Sequence, residues 1–442
     1  MIRIMAEAVK FLENYIPAPE KKYPGDLGLK RMQKLVELLG NPQLKYKTIH
    51  VGGTSGKGST ATMIASILGQ KYKTGLHTSP HLERINERIS IFSRAPHNRE
   101  NEISDVEFIG LLNEIKTTIW KMEKSELGPP SYFEIVTAMA FLYFEKRKTD
   151  FAVIEVGLGG RFDATNVIKP IVSVITNIGL DHTEILGETV EEIAQDKAGI
   201  IKRGIKVVVG TDQPSVKKII LQKSLKENAK VFLMNRDFKI DTRKISSDGS
   251  VFHYIGKNNY YNLRINLLGR HQIDNAAVAI KVTEAVGGLT ESDIRSGLTK
   301  AKIAGRLEII SQKPLIILDG AHNPDKMKAL VGAIQEIWPE RKVIVVLAIK
   351  NDKNATEMID ILKPLAQKFI LTGYRVVMDQ GEIVSYDTDD LAALMGQKRK
   401  VIIINDPLKA YDEAVNKTAG KDLILATGSL YLLGLIQKKI NS

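Results

Sequence analysis

The chain has 442 residues, 43% of them hydrophobic and 26% charged, which is the balance of a soluble globular protein too long for one ordinary core; two domains are expected. It holds no cysteine, which excludes disulfides and thiolate metal sites. The formal net charge of +12 is spread along the chain without a basic tract or an RNP, zinc-finger or helix-turn-helix pattern, so nucleic acid is not an expected partner. A solvated surface or a polyanionic small substrate accounts for that charge.

The N-terminal stretch "MIRIMAEAVKFLENYIP" carries Glu7 and Glu13 and reads as an amphipathic helix, not a secretory leader. No apolar run is long enough to span a bilayer, so a cytoplasmic protein without membrane contact is expected. The apolar run "YKTIHVGG" then opens into "TSGKGSTATMIASIL", which has helical spacing. The familiar phosphate loop places Ser or Thr directly after Gly-Lys, whereas here Gly58 intervenes. Backbone N–H groups of a glycine-rich turn and a helix N-terminus cradle an anion. Lys57 can add charge against the β- and γ-phosphates, and Ser59 can reach a metal ion. A tight turn explains the glycines, but not a lysine between two of them followed by Ser-Thr.

In "TGLHTSPHLERINERI", Ser79 and His81 follow a short strand; the Ser79 hydroxyl suits a magnesium ion or a helix cap. In "FAVIEVGLGGRFDATN", Glu155 lies within a buried-looking run, which is costly unless it binds metal or pairs with Arg161. His182 ends the run "IVSVITNIGLDH", beside Asp181; imidazole is an unusual magnesium ligand, since that ion prefers oxygen. Lys197 sits in a helical pattern, where a solvated lysine is the default.

From about Val231 to Leu268 polar–apolar alternation, broken by "SSDGS" and "GKNN", predicts an antiparallel meander. The helix "QIDNAAVAIKVTEAV" follows, and "SGLTKAKIAGRLEII" leads into a second strand–helix series. The expected domains are 1–302 and 303–442. Asp319, His322 and Asn323 follow the first strand of the second series in "PLIILDGAHNP". Asp319 there suits ribose, a metal or a substrate ammonium, and chemistry alone does not choose. Apolar runs without alternation suit strands buried on both faces, and their alternation with helices predicts α/β with mostly parallel sheets. The expected fold is an N-terminal P-loop NTPase-like sheet with a small antiparallel insertion, then a Rossmann-like α/β domain. Ligands of such sheets bind beyond the carboxyl ends of the strands.

Taken in order, "GTSGKGST", "SPHLERINERI", "YFEIVTAMAF", "EVGLGGRFDATN", "LDHTEILGETVEEIAQDKAGI", "LLGRHQIDNAA", "GRLEII" and "LDGAHNP" resemble the folylpolyglutamate synthase/dihydrofolate synthase family, a branch of the Mur ligase superfamily. The resemblance runs from near residue 20 to the C-terminus. It makes the Gly between Lys and Ser a family feature, while Ser55 stands where the family usually has Asn.

The resemblance implies that Gly53, Thr54, Ser55, Gly56, Lys57, Gly58, Ser59 and Thr60 hold ATP phosphates, with Asn275, Arg306 and Asp319 at the nucleotide. Ser59, Ser79, Glu155 and His182 are implied at two Mg2+ ions, and Lys197 at a position carboxylated by CO2. Lys57, His182, Lys197 and Arg306 are the implied catalytic group. His322 and Ser429 look like positions near incoming glutamate. Asp319 and Arg161 are read as touching substrate, and "YPGDLGLKRM", Tyr132 and Phe133 as touching the pterin. The implied activity is ATP-dependent addition of L-glutamate to tetrahydrofolate, or to dihydropteroate, through an acyl phosphate, by a monomer. The alternatives are a related ligase acting on a cell-wall precursor and a non-catalytic nucleotide-binding homologue.

Overall fold

The computed structural model describes residues 1–18, 23–94, 101–396, 401–418 and 422–441. Seven short strands build the first sheet: β1 (Lys47–Gly52), β2 (Thr74–His77), β3 (Ile89–Phe92), β4 (Phe151–Glu155), β5 (Pro170–Ile175), β6 (Lys206–Val209) and β7 (Lys230–Leu233). Their order is β3-β2-β4-β1-β5-β6-β7, parallel throughout except for β3, which runs antiparallel to β2. Successive side chains of a strand point to opposite faces. Ile49, Val51 and Val153 pack under helices Lys57–Leu68 and Arg270–Val286, while Ala152 and Ile154 pack under helix Tyr132–Lys146 on the other face. Both faces are covered, which is why these strands read as unbroken apolar runs.

The meander consists of β8 (Lys239–Ser246), β9 (Gly249–Ile255) and β10 (Asn259–Ile265), antiparallel in the order β10-β9-β8. Phe252, Tyr254 and Leu263 join it to the core beneath helix Arg270–Val286. It begins later than its alternation suggests. "KVFL" is not part of it but the edge strand β7 of the large sheet, paired parallel with β6. An edge strand with half-exposed Val231 and Phe232 mimics alternation.

The second sheet holds β11 (Glu308–Gln312), β12 (Leu315–Asp319), β13 (Lys342–Leu347) and β14 (Ala366–Leu371). After the hairpin β15 (Arg375–Met378) and β16 (Gly381–Val384) it continues with β17 (Val401–Ile403) and β18 (Asp422–Thr427). The order is β11-β12-β18-β13-β14-β17, with β11 alone antiparallel. Helices cover both its faces, around Val345 and Leu425 on one side and Val346 and Ala426 on the other. Two α/β domains thus form the chain. Among the described residues no helix is long and apolar enough to cross a membrane.

Candidate active site

The loop after β1 is held by residues just beyond β5. Thr54 N–H donates to Asn177 O at 2.8 Å, and Ser55 N–H to Asn177 Oδ1 at 2.7 Å. Thr176 Oγ1 donates to Ser55 O at 2.7 Å, and the Thr54 hydroxyl is bonded to both Gly179 O and Gly179 N at 3.1 Å. Gly56 closes the loop in the left-handed region, φ 81°, and a Cβ there would meet Asn275 Oδ1 at 2.5 Å. Helix Lys57–Leu68 begins at the next residue, so its unpaired N–H groups face the turn. Lys57 Nζ curls over the loop and donates to Gly53 O at 3.2 Å.

Gly58 has a different reason. A Cβ there would stand 3.4 Å from Glu155 Oε2, in van der Waals contact with it. The bare Cα lets the Glu155 carboxylate stand against the loop. Glu155 is buried at the end of β4, and Ser79 N–H donates to its Oε2 at 3.1 Å. Burial pushes its affinity for a proton up, while Lys57, the Ser79 N–H, Arg306 and Lys326 pull it back. Arg161 is not its partner: that side chain is exposed, and its guanidinium lies 4.9 Å from the Phe162 ring centre.

His182 stands in the left-handed region, φ 53°, half-buried, with its pKa pushed down to about 4, chiefly by burial. Its neighbour Asp181 reaches the other domain, accepting from Lys353 Nζ at 2.9 Å and Asn323 Nδ2 at 3.2 Å. Lys326, Lys353 and the two histidines hold the Asp181 carboxyl well below the usual carboxylate range, against its burial. Lys197 is not a solvated lysine. It is 5% exposed, and burial, then Lys57, lowers its pKa to about 7.

The facing wall comes from the second domain. Arg306 donates to Gly305 O at 3.2 Å. Asp319, at the end of β12, accepts Leu307 N–H and Ala321 N–H, each at 2.8 Å, so both its oxygens pin backbone. The ring of His322 lies 2.7 Å from Gly320 O through Nδ1 and 2.8 Å from Lys326 Nζ through Nε2. A carbonyl only accepts, so Nδ1 carries the hydrogen and Nε2 accepts from Lys326. Ser429 is buried after β18, its Oγ accepting Tyr431 N–H at 3.1 Å.

These groups meet in one cleft of about 670 Å³ between the two sheets. Lining it are the turn from Gly53 to Ser59, and with it Ser79, Phe133, Glu155, His182, Lys197, Asn275, Arg306, Asp319, His322 and Ser429. Thr60, Tyr132 and Arg161 do not line it. Thr60 is fully buried in the helix, and Tyr132 is core, with Arg88 5.8 Å from its ring centre. His81 is likewise turned aside, accepting from Arg88 Nε at 2.9 Å.

Asn177, Asp181 as an interdomain link, Lys326, and the bidentate Arg31–Glu134 pair, both bonds 2.6 Å, further along the cleft, were not foreseen from the sequence. Asn177 comes just past a strand tip and could have been found by that rule. Nothing local marks the others.

Among the described residues no group of three His, Asp or Glu side chains forms a metal cage. The buried Glu155 carboxylate still receives only one hydrogen bond among those residues, at the edge of an open cleft beside serine hydroxyls and a neutral imidazole. That donor set fits a hard cation that completes its shell with water and phosphate oxygens.

The Mur ligase middle domain matches residues 110–283, and the Mur ligase glutamate ligase domain matches residues 305–430. A dihydrofolate synthase/folylpolyglutamate synthase of Bacillus subtilis is 35% identical over 421 residues, 93% of this chain and 95% of its own. A folylpolyglutamate synthase of Thermotoga maritima superposes with TM-score 0.84 at 34% identity, covering 99% of this chain and 96% of the other. The Mycobacterium tuberculosis folylpolyglutamate synthase complexed with ADP superposes with TM-score 0.89 at 31% identity, over 99% and 98% of the two chains. By these matches the chain is a Mur ligase and belongs to the folylpolyglutamate synthase/dihydrofolate synthase family.

Proposed function

We propose that this protein joins L-glutamate to a folate, tetrahydrofolate or dihydropteroate, at the expense of ATP. One observation carries the reading: the lysine-bearing loop of one domain and the His322 turn of the other line a single cleft, tied together by Asp181. The loop amides and Lys57 receive the triphosphate, with Asn275, Arg306 and Asp319 around the nucleotide. A folate carboxylate oxygen attacks the γ-phosphorus, and ADP leaves with the electron pair of the broken P–O bond. The amine of glutamate, placed near His322 and Ser429, attacks the acyl phosphate; the C–N bond forms and phosphate departs. Pre-placed charge and orientation carry both steps, without a protein nucleophile.

Glu155, Ser59, Ser79 and His182 would hold two Mg2+ ions, which neutralise charge on the phosphates when bound. Lys197, whose pKa of about 7 leaves much of it as free amine near neutrality, is suited to attack CO2 and become a carbamate, an oxygen donor in place of a cation. The cleft's outer reach, with Phe133, Tyr23 and the Arg31–Glu134 pair, is read as the pterin end. The reading includes a division near Lys302, action as a monomer in the cytoplasm, and no nucleic-acid or membrane partner. Phosphate release with glutamate and each pterin acceptor, with mass analysis of products, tests it. Turnover only with muramyl peptides would favour the cell-wall alternative, and none with any acceptor a non-catalytic homologue.

A further inference from the structure

The cations of the cleft differ in what neutralises them. Arg31 is held by Glu134 at 2.6 Å, Lys350 by Asp352 at 2.5 Å and Lys353 by Asp181 at 2.9 Å. Among the described residues Lys57 and Arg306 bond only backbone carbonyls, as befits groups read as binding phosphate. Lys197 is read as the carbamate. Lys326 remains, and the family reading gives it no task. Its close partner is the neutral His322 ring at 2.8 Å, and its nearest carboxylate oxygen among the described residues, Asp181 Oδ2, is 3.9 Å away.

Its placement is electrostatically unfavourable. Lys326 occupies the first turn of helix Pro324–Ile337, where the backbone dipole favours anions. Burial and the charges of Lys57, Arg306 and Lys353 oppose its protonation, with only Asp181 helping, and its pKa falls to about 7. Lys57, Arg306 and Lys326 also bear together on Glu155, the carboxylate beside the phosphate loop. Like Lys197 it is therefore partly free amine near neutrality, and a polyanion beside it would raise its pKa and hold it as an ammonium, so the position is poorly suited to folding and well suited to binding a polyanion.

We propose that Lys326 is a catalytic residue of the ligation, a cation carried by the second domain that contacts the transferring phosphoryl group opposite Lys57. His322 and Asp181 aim it: one accepts from its ammonium, the other draws it toward the first domain. As the phosphoryl leaves the β–γ bridging oxygen for the folate carboxylate, charge on its equatorial oxygens is met from both domains, so phosphoryl transfer requires the domains to be closed. No proton moves in this step.

The inference rests on the folate-ligase reading, and its test separates the two. ATP labelled with 18O at the β–γ bridge is incubated with tetrahydrofolate without glutamate, and scrambling of the label is measured over time. Lys326→Met should slow scrambling about 100-fold, as loss of one transition-state donor does, with Lys326→Arg recovering most of it. In the same variants, binding of a non-hydrolysable ATP analogue should weaken about tenfold in Lys326→Met while ADP binding is unchanged. If Lys326→Met fails to fold, Lys326→Gln serves for both readouts. Wild-type scrambling combined with a raised KM for glutamate would overturn the proposal, assigning Lys326 to the glutamate carboxylate instead. So would an unaltered preference for triphosphate over ADP. No scrambling even in the wild type would defeat the folate-ligase reading, while the binding comparison would still decide the role of Lys326.

Discussion

Asp181 of the first domain and Lys353 of the second stand 2.9 Å apart, 10% and 14% exposed. Removing one member of so enclosed a pair leaves the other charge desolvated, at a cost of about 3 kcal/mol or more. Asp181→Asn should therefore lower the melting temperature by several degrees. Because the folded-state pKa of Asp181 is depressed, its contribution is fully present above the ordinary carboxylate pKa. It is lost only as pH falls through the folded value. The difference between wild type and variant should thus persist from pH 8 to pH 5 and widen somewhat as Lys326, whose protonation Asp181 favours, takes up its proton near pH 7; melting curves at three pH values check this. An unchanged melting temperature would mean that the contact does not hold the domains together.

Lys57 has a narrower task. Its ammonium rests on Gly53 O, so Lys57→Ala removes little from the folded structure. Turnover should fall at least about 100-fold with the melting temperature nearly unchanged. Steady-state phosphate release and calorimetry on one preparation separate the two effects, and near-normal turnover would rule out the proposed contact.

How far the letters reached has a physical pattern. Strands β1, β4, β5, β12 and β13 are covered on both faces, so their apolar runs were legible without knowing their partners. Lys57 and Glu155 stood out because each is costly where the local pattern places it. β7 was misread because half-exposure at a sheet edge imitates alternation. Tyr132 and Arg161 fell beside residues that do line the cleft, but neighbours in a strand-tip loop or helix point in different directions. Asp181–Lys353 and His322–Lys326 depend on how two domains meet or on which way one turn presents its side chains. Neither leaves a trace in hydrophobic periodicity.

The glycine after Lys57 offers a sharper test than the lysine itself. Gly58 has an ordinary backbone conformation, so alanine is not excluded by φ; its methyl would lie 3.4 Å from Glu155 Oε2, against the carboxylate. The methyl would touch the carboxylate and take up the space beside it that a cation and its waters would need. Gly58→Ala should leave folding intact, reduce turnover about tenfold by crowding the carboxylate, and raise the Mg2+ concentration needed for half-maximal rate. A magnesium titration at saturating ATP reads this. An unshifted titration would detach Gly58 from Glu155.

Acid should destabilise the fold through histidines outside the cleft. His50 in β1 is fully buried, its Nε2 2.8 Å from Thr165 Oγ1. The Thr165 hydroxyl gives its hydrogen to Asp163, so Nε2 must be the donor, and Nδ1 has no partner among the described residues. Burial, helped by Lys202, lowers the His50 pKa from 6.5 to about 3. His77 in β2 is lowered to about 4, mainly by burial. The unfolded chain binds these protons below pH 6.5 while the folded chain refuses them, so stability falls on acidification from there toward the folded values. At pH 5 each group should cost about 2 kcal/mol relative to pH 7.5. Urea unfolding at both pH values should show the loss, and His50→Asn, unable to titrate, should lose less. Equal losses in wild type and variant would mean that His50 is not held neutral.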